Sequence, residues 1–274
     1  MRGHGQAKPR VIAGRFSRKE RQFHRAKIDL EDAALTDQTR TRYYLALRKI
    51  IKYVERATLE DQLDSLLCLW IKKMWKTGEP LLTVGDALSA LHFYQPWTKR
   101  RIPHSWKLFA VWRRVELPSR APPLTWTLVT ALAGYEWHLG NYEMAVVLLV
   151  AFHCLLRTGE FLSLTANDVS LGPISGVISL KRTKTGVRNN SNEVVSVTCP
   201  LVLEFLRFLG LARRDLGLTA LPFWSSSPHQ FRCRFRELCN LLGVSEHNFR
   251  PYSLRRGGAT AYFQATHSME AALI

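Results

Sequence analysis

Three short stretches of this 274-residue chain bring together side chains able to grip a phosphate. The first, "LLRTGEFLSLTANDV", places Arg157, Glu160 and Asp168 just beyond an apolar run. A guanidinium leaving a greasy helix is costly to bury unmatched, and Glu160, three residues on, can match it. The second, "KRTKTGVRNNSN", clusters Lys181, Arg182, Lys184 and Arg188 on a polar, turn-forming segment. A lysine ammonium is a compact charge that can contact phosphate and give up a proton. The third, "RPYSLRRGGATAYF", sets Arg255 and Arg256 in the first turn of a helix that the Ser253 hydroxyl can cap. Cations there oppose the helix dipole, and an anion bound at the same end relieves the conflict. Each stretch also has a plainer reading: a structural Arg–Glu pair, solvated hairpin charges and a tightly packed helix. Gly257 and Gly258 cost about 1 kcal/mol each against alanine in a helix, so they mark close approach of backbone or substrate, or of a neighbouring helix.

The elements that must position these groups follow from periodicity. From Thr39, Tyr43, Leu47, Ile50 or Ile51 and Val54 recur at helical spacing, with Arg40, Arg48, Lys49, Lys52 and Arg56 mostly between them. A second helix is predicted over Leu59 to Thr77, with Leu63, Leu66, Trp70 and Met74 on its stripe and Gly78 as its stop. Further helices are expected near Thr83 to Tyr94 and Ser105 to Val115, which makes residues 30–117 an all-helical domain. Pro118, Pro122 and Pro123 then mark a linker over 118–123. Beyond it the pattern predicts helices over Thr125 to Leu139 and Tyr142 to Leu156, a β-hairpin over 176–199, and helices over Leu201 to Leu211, Phe231 to Leu242 and from Ser253. Residues 1–29 read as a flexible basic arm.

Composition narrows the partner. With 39 Lys+Arg against 22 Asp+Glu the formal charge is +17, which points to a polyanion. Nine basic residues and one acid fall within the first 27, so the remainder is basic in its own right. Five scattered cysteines without a CxxC or Cys/His cluster argue against a disulfide framework or a zinc site, and for a reducing, intracellular setting. The longest apolar run, Ala145 to Leu156, is interrupted by His153 and falls short of the roughly 20 residues of a membrane span. No membrane partner, metal or cofactor is expected.

In order and context, Arg157 with Glu160 and Asp168, Lys184 in "TKTG" between two strands, and "YSLRRGGAT" resemble the tyrosine recombinase (phage-integrase-type, XerC/D-like) family. The resemblance runs from about residue 30 to the end of the sequence. It implies a mainly α fold with a small β-hairpin or sheet: a helical, SAM-like core-binding domain over 30–117 and a mixed α+β catalytic domain over 124–274, incomplete at its C-terminus. Double-stranded DNA is the implied partner, held between the two domains, with several copies of the chain assembling on it. Arg157 and Arg255 would hold the non-bridging oxygens of the scissile phosphate, and Lys184 would protonate the leaving oxygen. Glu160, Asp168 and Tyr252 would support them, while Arg40, Arg48, Lys49, Lys52, Arg182, Arg188 and Arg256 would touch DNA.

The chain departs from the family pattern at two points. Where the family has a histidine three residues before its second arginine, this chain has Tyr252, whose ordinary pKa near 10 makes it a poor acid–base group at neutral pH. The family's tyrosine nucleophile lies further beyond the second arginine than this sequence extends. Tyr262, the sole tyrosine after Arg255, is expected to be a core aromatic. Phosphoryl transfer needs an in-line attacking oxygen, so the expectation is a DNA-binding protein of recombination and integration, derived from a mobile element, that does not cleave DNA alone. The alternatives are an active fragment completed by a downstream or trans-supplied tyrosine, and a non-catalytic basic nucleic-acid-binding scaffold. A nuclear location is expected if the host is a eukaryote.

Overall fold

The computed structural model of the chain describes residues 17–26, 34–56, 60–117, 119–180 and 193–267. The chain divides into two compact units, Met1–Pro118 and Ser119–Ile274.

The first unit is helical: α1 (Arg18–Arg25), α2 (Asp37–Val54), α3 (Glu60–Lys76), α4 (Leu81–Tyr94) and α5 (Pro103–Val115), with a 3₁₀ turn at Pro96–Arg100. Part of the basic arm is thus helical, since α1 falls inside it. Thr36 starts α2, its hydroxyl accepting from the Thr39 amide at 3.2 Å. The stripe of α2 runs through Ile50, fully buried, and not Ile51, which is 53% exposed. On α3 the core residues are Leu63, Leu67, Trp70 and Ile71, with Leu66 only half-buried. Gly78 stops this helix with φ +72°, while Glu79 N–H bonds back to the Met74 carbonyl. Asp64 on α3 caps α5 from the side, its carboxylate accepting from the His104 and Ser105 amides, both at 2.8 Å. These contacts assemble one core from Ala46, Ile50, Leu63, Leu67, Trp70, Val84, Leu88, Ile102 and Trp112.

The second unit is built around α7 (Tyr142–His153), in which every residue from Met144 to Phe152 is buried. Around it stand α6 (Trp126–His138), α9 (Pro200–Asp215), α10 (Pro228–Leu241) and α11 (Tyr252–Thr266). The short helix α8 (Thr158–Leu162) and a 3₁₀ turn, Ala166–Asp168, lead into a three-stranded antiparallel sheet in the order β1 (Val169–Leu171), β2 (Gly176–Leu180), β3 (Glu193–Val197). Ile178 pairs with Val169 on one side and Val195 on the other. The expected hairpin is β2–β3; β1 is an addition, since three residues, Val-Ser-Leu, carry too little alternation to read as a strand. The result is a mainly α fold with a small sheet, as the sequence implied. No helix among the described residues is long and apolar enough to cross a membrane.

Two local devices shape the approach to the candidate residues. At the end of α7 the Leu156 amide bonds to the Ala151 carbonyl and the Leu155 amide to the Phe152 carbonyl, a double closure that normally puts glycine at the left-handed position. Here Leu155 occupies it at φ +53°, a conformation that costs a leucine about 1–2 kcal/mol. Facing it on α11, Gly257 and Gly258 are buried because there is no room for anything larger. A Cβ on Gly257 would meet the Leu124 carbonyl and lie 2.8 Å from the Phe152 ring. A Cβ on Gly258 would meet the Phe152 carbonyl and lie 2.6 Å from Leu155. The glycines therefore serve close contact between α11 and α7.

Candidate phosphate-binding site

Arg157 precedes the first residue of α8 in extended conformation, φ −71° and ψ 153°. Glu160, one turn on, reaches back to it. Its Oε2 accepts from the Arg157 amide at 2.6 Å and its Oε1 from Arg157 Nη1 at 2.7 Å. This is the returning half of a capping box, and it binds the guanidinium as well as the backbone. From α11, Arg255 Nη1 comes to 3.8 Å from the same Oε2. One buried carboxylate thus faces two guanidiniums.

The exposure gradient gives the pair its direction. The Glu160 side chain is 6% exposed, whereas those of Arg157 and Arg255 are 39% and 30% exposed. The acid sits beneath and the cations open outward. Charge is left over on the open side, along with N–H donors that a single carboxylate cannot satisfy. The hydrogen bond with Glu160 raises the Arg157 pKa, against the opposing pull of burial, and the charges of Glu160 and Glu193 add to the rise. Arg157 is therefore a permanent cation.

The other expected residues divide clearly. Tyr252, on the first turn of α11, is 51% exposed and close enough to Arg157 to influence it. Asp168 is buried and caps its own turn: its Oδ2 accepts from the Thr165 amide at 3.0 Å and from the Thr165 hydroxyl at 2.6 Å. Arg256 donates from Nη1 to the Ala121 carbonyl. Lys184, Arg182 and Arg188, with Lys181, lie outside the described residues. On α2, Lys49 is ion-paired with Glu79 at 3.0 Å, so its charge is partly spent within the first unit. Arg48 lies 5.9 Å from the Tyr44 ring centre and Lys52 5.8 Å from that of Tyr53. Arg40 occupies the first turn of the same helix.

Two expectations need correction. Ser253 is not the cap of α11, because the helix begins at Tyr252; its buried hydroxyl instead accepts from the Arg250 amide at 3.0 Å. Tyr262 is not a core aromatic. It is 41% exposed, since the buried face of α11 runs through Leu254, Gly257, Gly258 and Ala261, and Tyr262 falls beside that face. Glu193, at the start of β3, escaped sequence reading because only the fold brings it near Arg157.

Among the described residues no group of three or more His, Cys, Asp or Glu is placed to hold a metal ion. No known family profile and no curated protein matches the chain. Solved structures do. The XerH site-specific recombinase in a pre-cleavage complex with its difH substrate is 14% identical, with a TM-score of 0.56 over 85% of this chain and 71% of that one. The post-cleavage XerH complex with palindromic difH is 13% identical, with a TM-score of 0.60 over 85% and 70%. Lambda integrase, residues 75–356, bound to DNA, is 15% identical, with a TM-score of 0.55 over 89% and 85%. At such identities the likeness is one of fold, shared with the XerH recombinase and lambda integrase structures.

Proposed function

We propose that this protein binds double-stranded DNA in the manner of a tyrosine recombinase, holding one backbone phosphate between Arg157 and Arg255. The observation that carries this reading is the shared carboxylate. Glu160 hydrogen-bonds one guanidinium and lies 3.8 Å from a second on a separate element, and both remain partly open to solvent, a geometry suited to the paired oxygens of a phosphate. Structural likeness to recombinases solved on DNA supports the same partner. In this reading residues 30–117 form the core-binding domain, whose α2 offers Arg40, Arg48 and Lys52 to the backbone. Residues 124–274 form the catalytic-type domain, with Lys184 as proton donor to a leaving oxygen, and copies of the chain assemble on the duplex.

The reading extends to a mobile-element origin and to binding without cleavage by the 274-residue chain. Tyr262 is the sole tyrosine after Arg255, and it stands two turns along the same helix. At about 1.5 Å per residue it is roughly 10 Å further along the axis, too far to attack a phosphate held at the arginines. Two experiments test the proposal. Duplex binding across a salt series should weaken steeply as counterions compete, and Arg157→Ala and Arg255→Ala should each reduce affinity while preserving the circular dichroism of the wild type. Wild-type indifference to DNA overturns the reading. A nicked suicide substrate should yield no covalent adduct; an adduct, mapped to its tyrosine, overturns the non-cleaving part alone.

A further inference from the structure

Beside the Arg157–Arg255 pair lies a second cationic recess that sequence reading did not single out. Ser119, Arg120, Ala121, Arg250, Tyr252 and Arg256 line it. Three of these six are arginines and none is acidic. Elsewhere in the unit, Arg157, Arg207, Arg213 and Arg234 each have a carboxylate within 4 Å. Among the described residues, Arg120, Arg250 and Arg256 have none. Arg256 is fixed by the Ala121 carbonyl, and the Arg250 backbone is fixed by Ser253. Arg120 and Arg250 are exposed. Three like charges around one opening repel each other unless an anion enters, and the fixed guanidinium makes that entry specific in position.

Tyr252 connects this recess to the first site. It is three residues before Arg255 and four before Arg256, so the two arginines flank it one turn on along α11. One neighbour faces Glu160, the other the recess. The half-exposed Tyr252 both lines the recess and lies near Arg157, and its hydroxyl can donate to an anion in either opening. We propose that the recess of Arg120, Arg250 and Arg256 binds a second backbone phosphate of the same DNA strand, next to the phosphate held by Arg157 and Arg255. This rests on the DNA-binding reading above. It also gives Tyr252 a role that needs no proton transfer, as a hydroxyl donor to either phosphate.

Methylphosphonate scanning of a bound duplex tests this, because each neutral linkage deletes one phosphate charge. For the wild type, two neighbouring linkages on one strand should each weaken binding by roughly tenfold, the worth of about one charge-assisted hydrogen bond. The double variant Arg120→Gln/Arg250→Gln alters exposed side chains and leaves Arg256 in place. It should lose sensitivity at one of those linkages, keep it at the other, and lower the salt slope by about 0.9. Arg157→Ala should show the reverse pattern. If the double variant keeps both sensitivities and the wild-type slope, the second site is wrong while DNA binding stands. If the wild type shows no salt-dependent binding, both readings are overturned together.

Discussion

Arg255 Nη1 lies 3.8 Å from the Glu160 carboxylate oxygen that also accepts the Arg157 amide. Arg157 and Arg255, 98 positions apart in the sequence, are thereby referred to one buried acid. Glu160→Ala should consequently do more than delete a surface ion pair. It removes the backbone cap of α8 and the guanidinium partner, and about 2–3 kcal/mol of stability should be lost in urea unfolding. An unchanged unfolding midpoint would show that the carboxylate organises nothing.

The two glycines of α11 predict a sharper contrast. Gly257→Ala and Gly258→Ala each drive a methyl into the backbone carbonyl of Leu124 or Phe152, and backbone yields little. Each should cost about 3 kcal/mol, the upper end of overpacking losses, or prevent folding outright. Gly134→Ala and Gly210→Ala, in α6 and α9, meet open space and should instead stabilise by roughly 0.5–1 kcal/mol. Thermal melts of the four variants check both signs at once.

These glycines also show where sequence reading stops. "LRRGGAT" announces close approach of something to the helix, but the partner carbonyls come from residues 124 and 152, and only the fold reveals them. Helix existence was legible because Ile50, Trp70 and the run from Met144 to Phe152 advertise their periods or their burial. Register was not: Ile50 over Ile51, and Leu67 over Leu66, were decided by opposing helices. The Arg157–Glu160 pair could be read locally because it lies within one turn. Arg120 could not, since a proline-rich stretch gives no hint of which surface its arginine joins.

In the first unit, Asp64 should dominate the response to acid. Burial works to raise its carboxyl pKa, but hydrogen bonds from Ser105, on hydroxyl and amide, and from His104 outweigh this and hold it below the ordinary 3.8. The unfolded chain then takes up this proton more readily than the folded one. The stabilisation is complete above about pH 4 and is lost as pH falls below the ordinary value toward the folded one. Asp64→Asn should lower stability at pH 7 by about 1–2 kcal/mol, the range for a lost cap, and flatten the acid limb. A wild-type acid limb in the variant would assign that limb to other carboxylates.

The second unit carries its own titration, centred on His153 at the end of α7. Its Nε2 accepts from the Thr198 and Cys199 amides, at 3.2 and 3.4 Å, so the ring must be neutral on that nitrogen. Burial lowers its pKa from the ordinary 6.5. As pH falls through 6.5 the unfolded imidazole charges first, more protons are bound by the unfolded state, and stability declines until the folded ring's lower value is passed. A protonated ring loses its acceptor and releases the segment between β3 and α9. Urea midpoints should therefore drop between pH 7.5 and 5.5 in the wild type. His153→Gln keeps an acceptor without a titrating group, so its midpoint should stay level over the same interval; an equal drop in the variant would place the titration elsewhere.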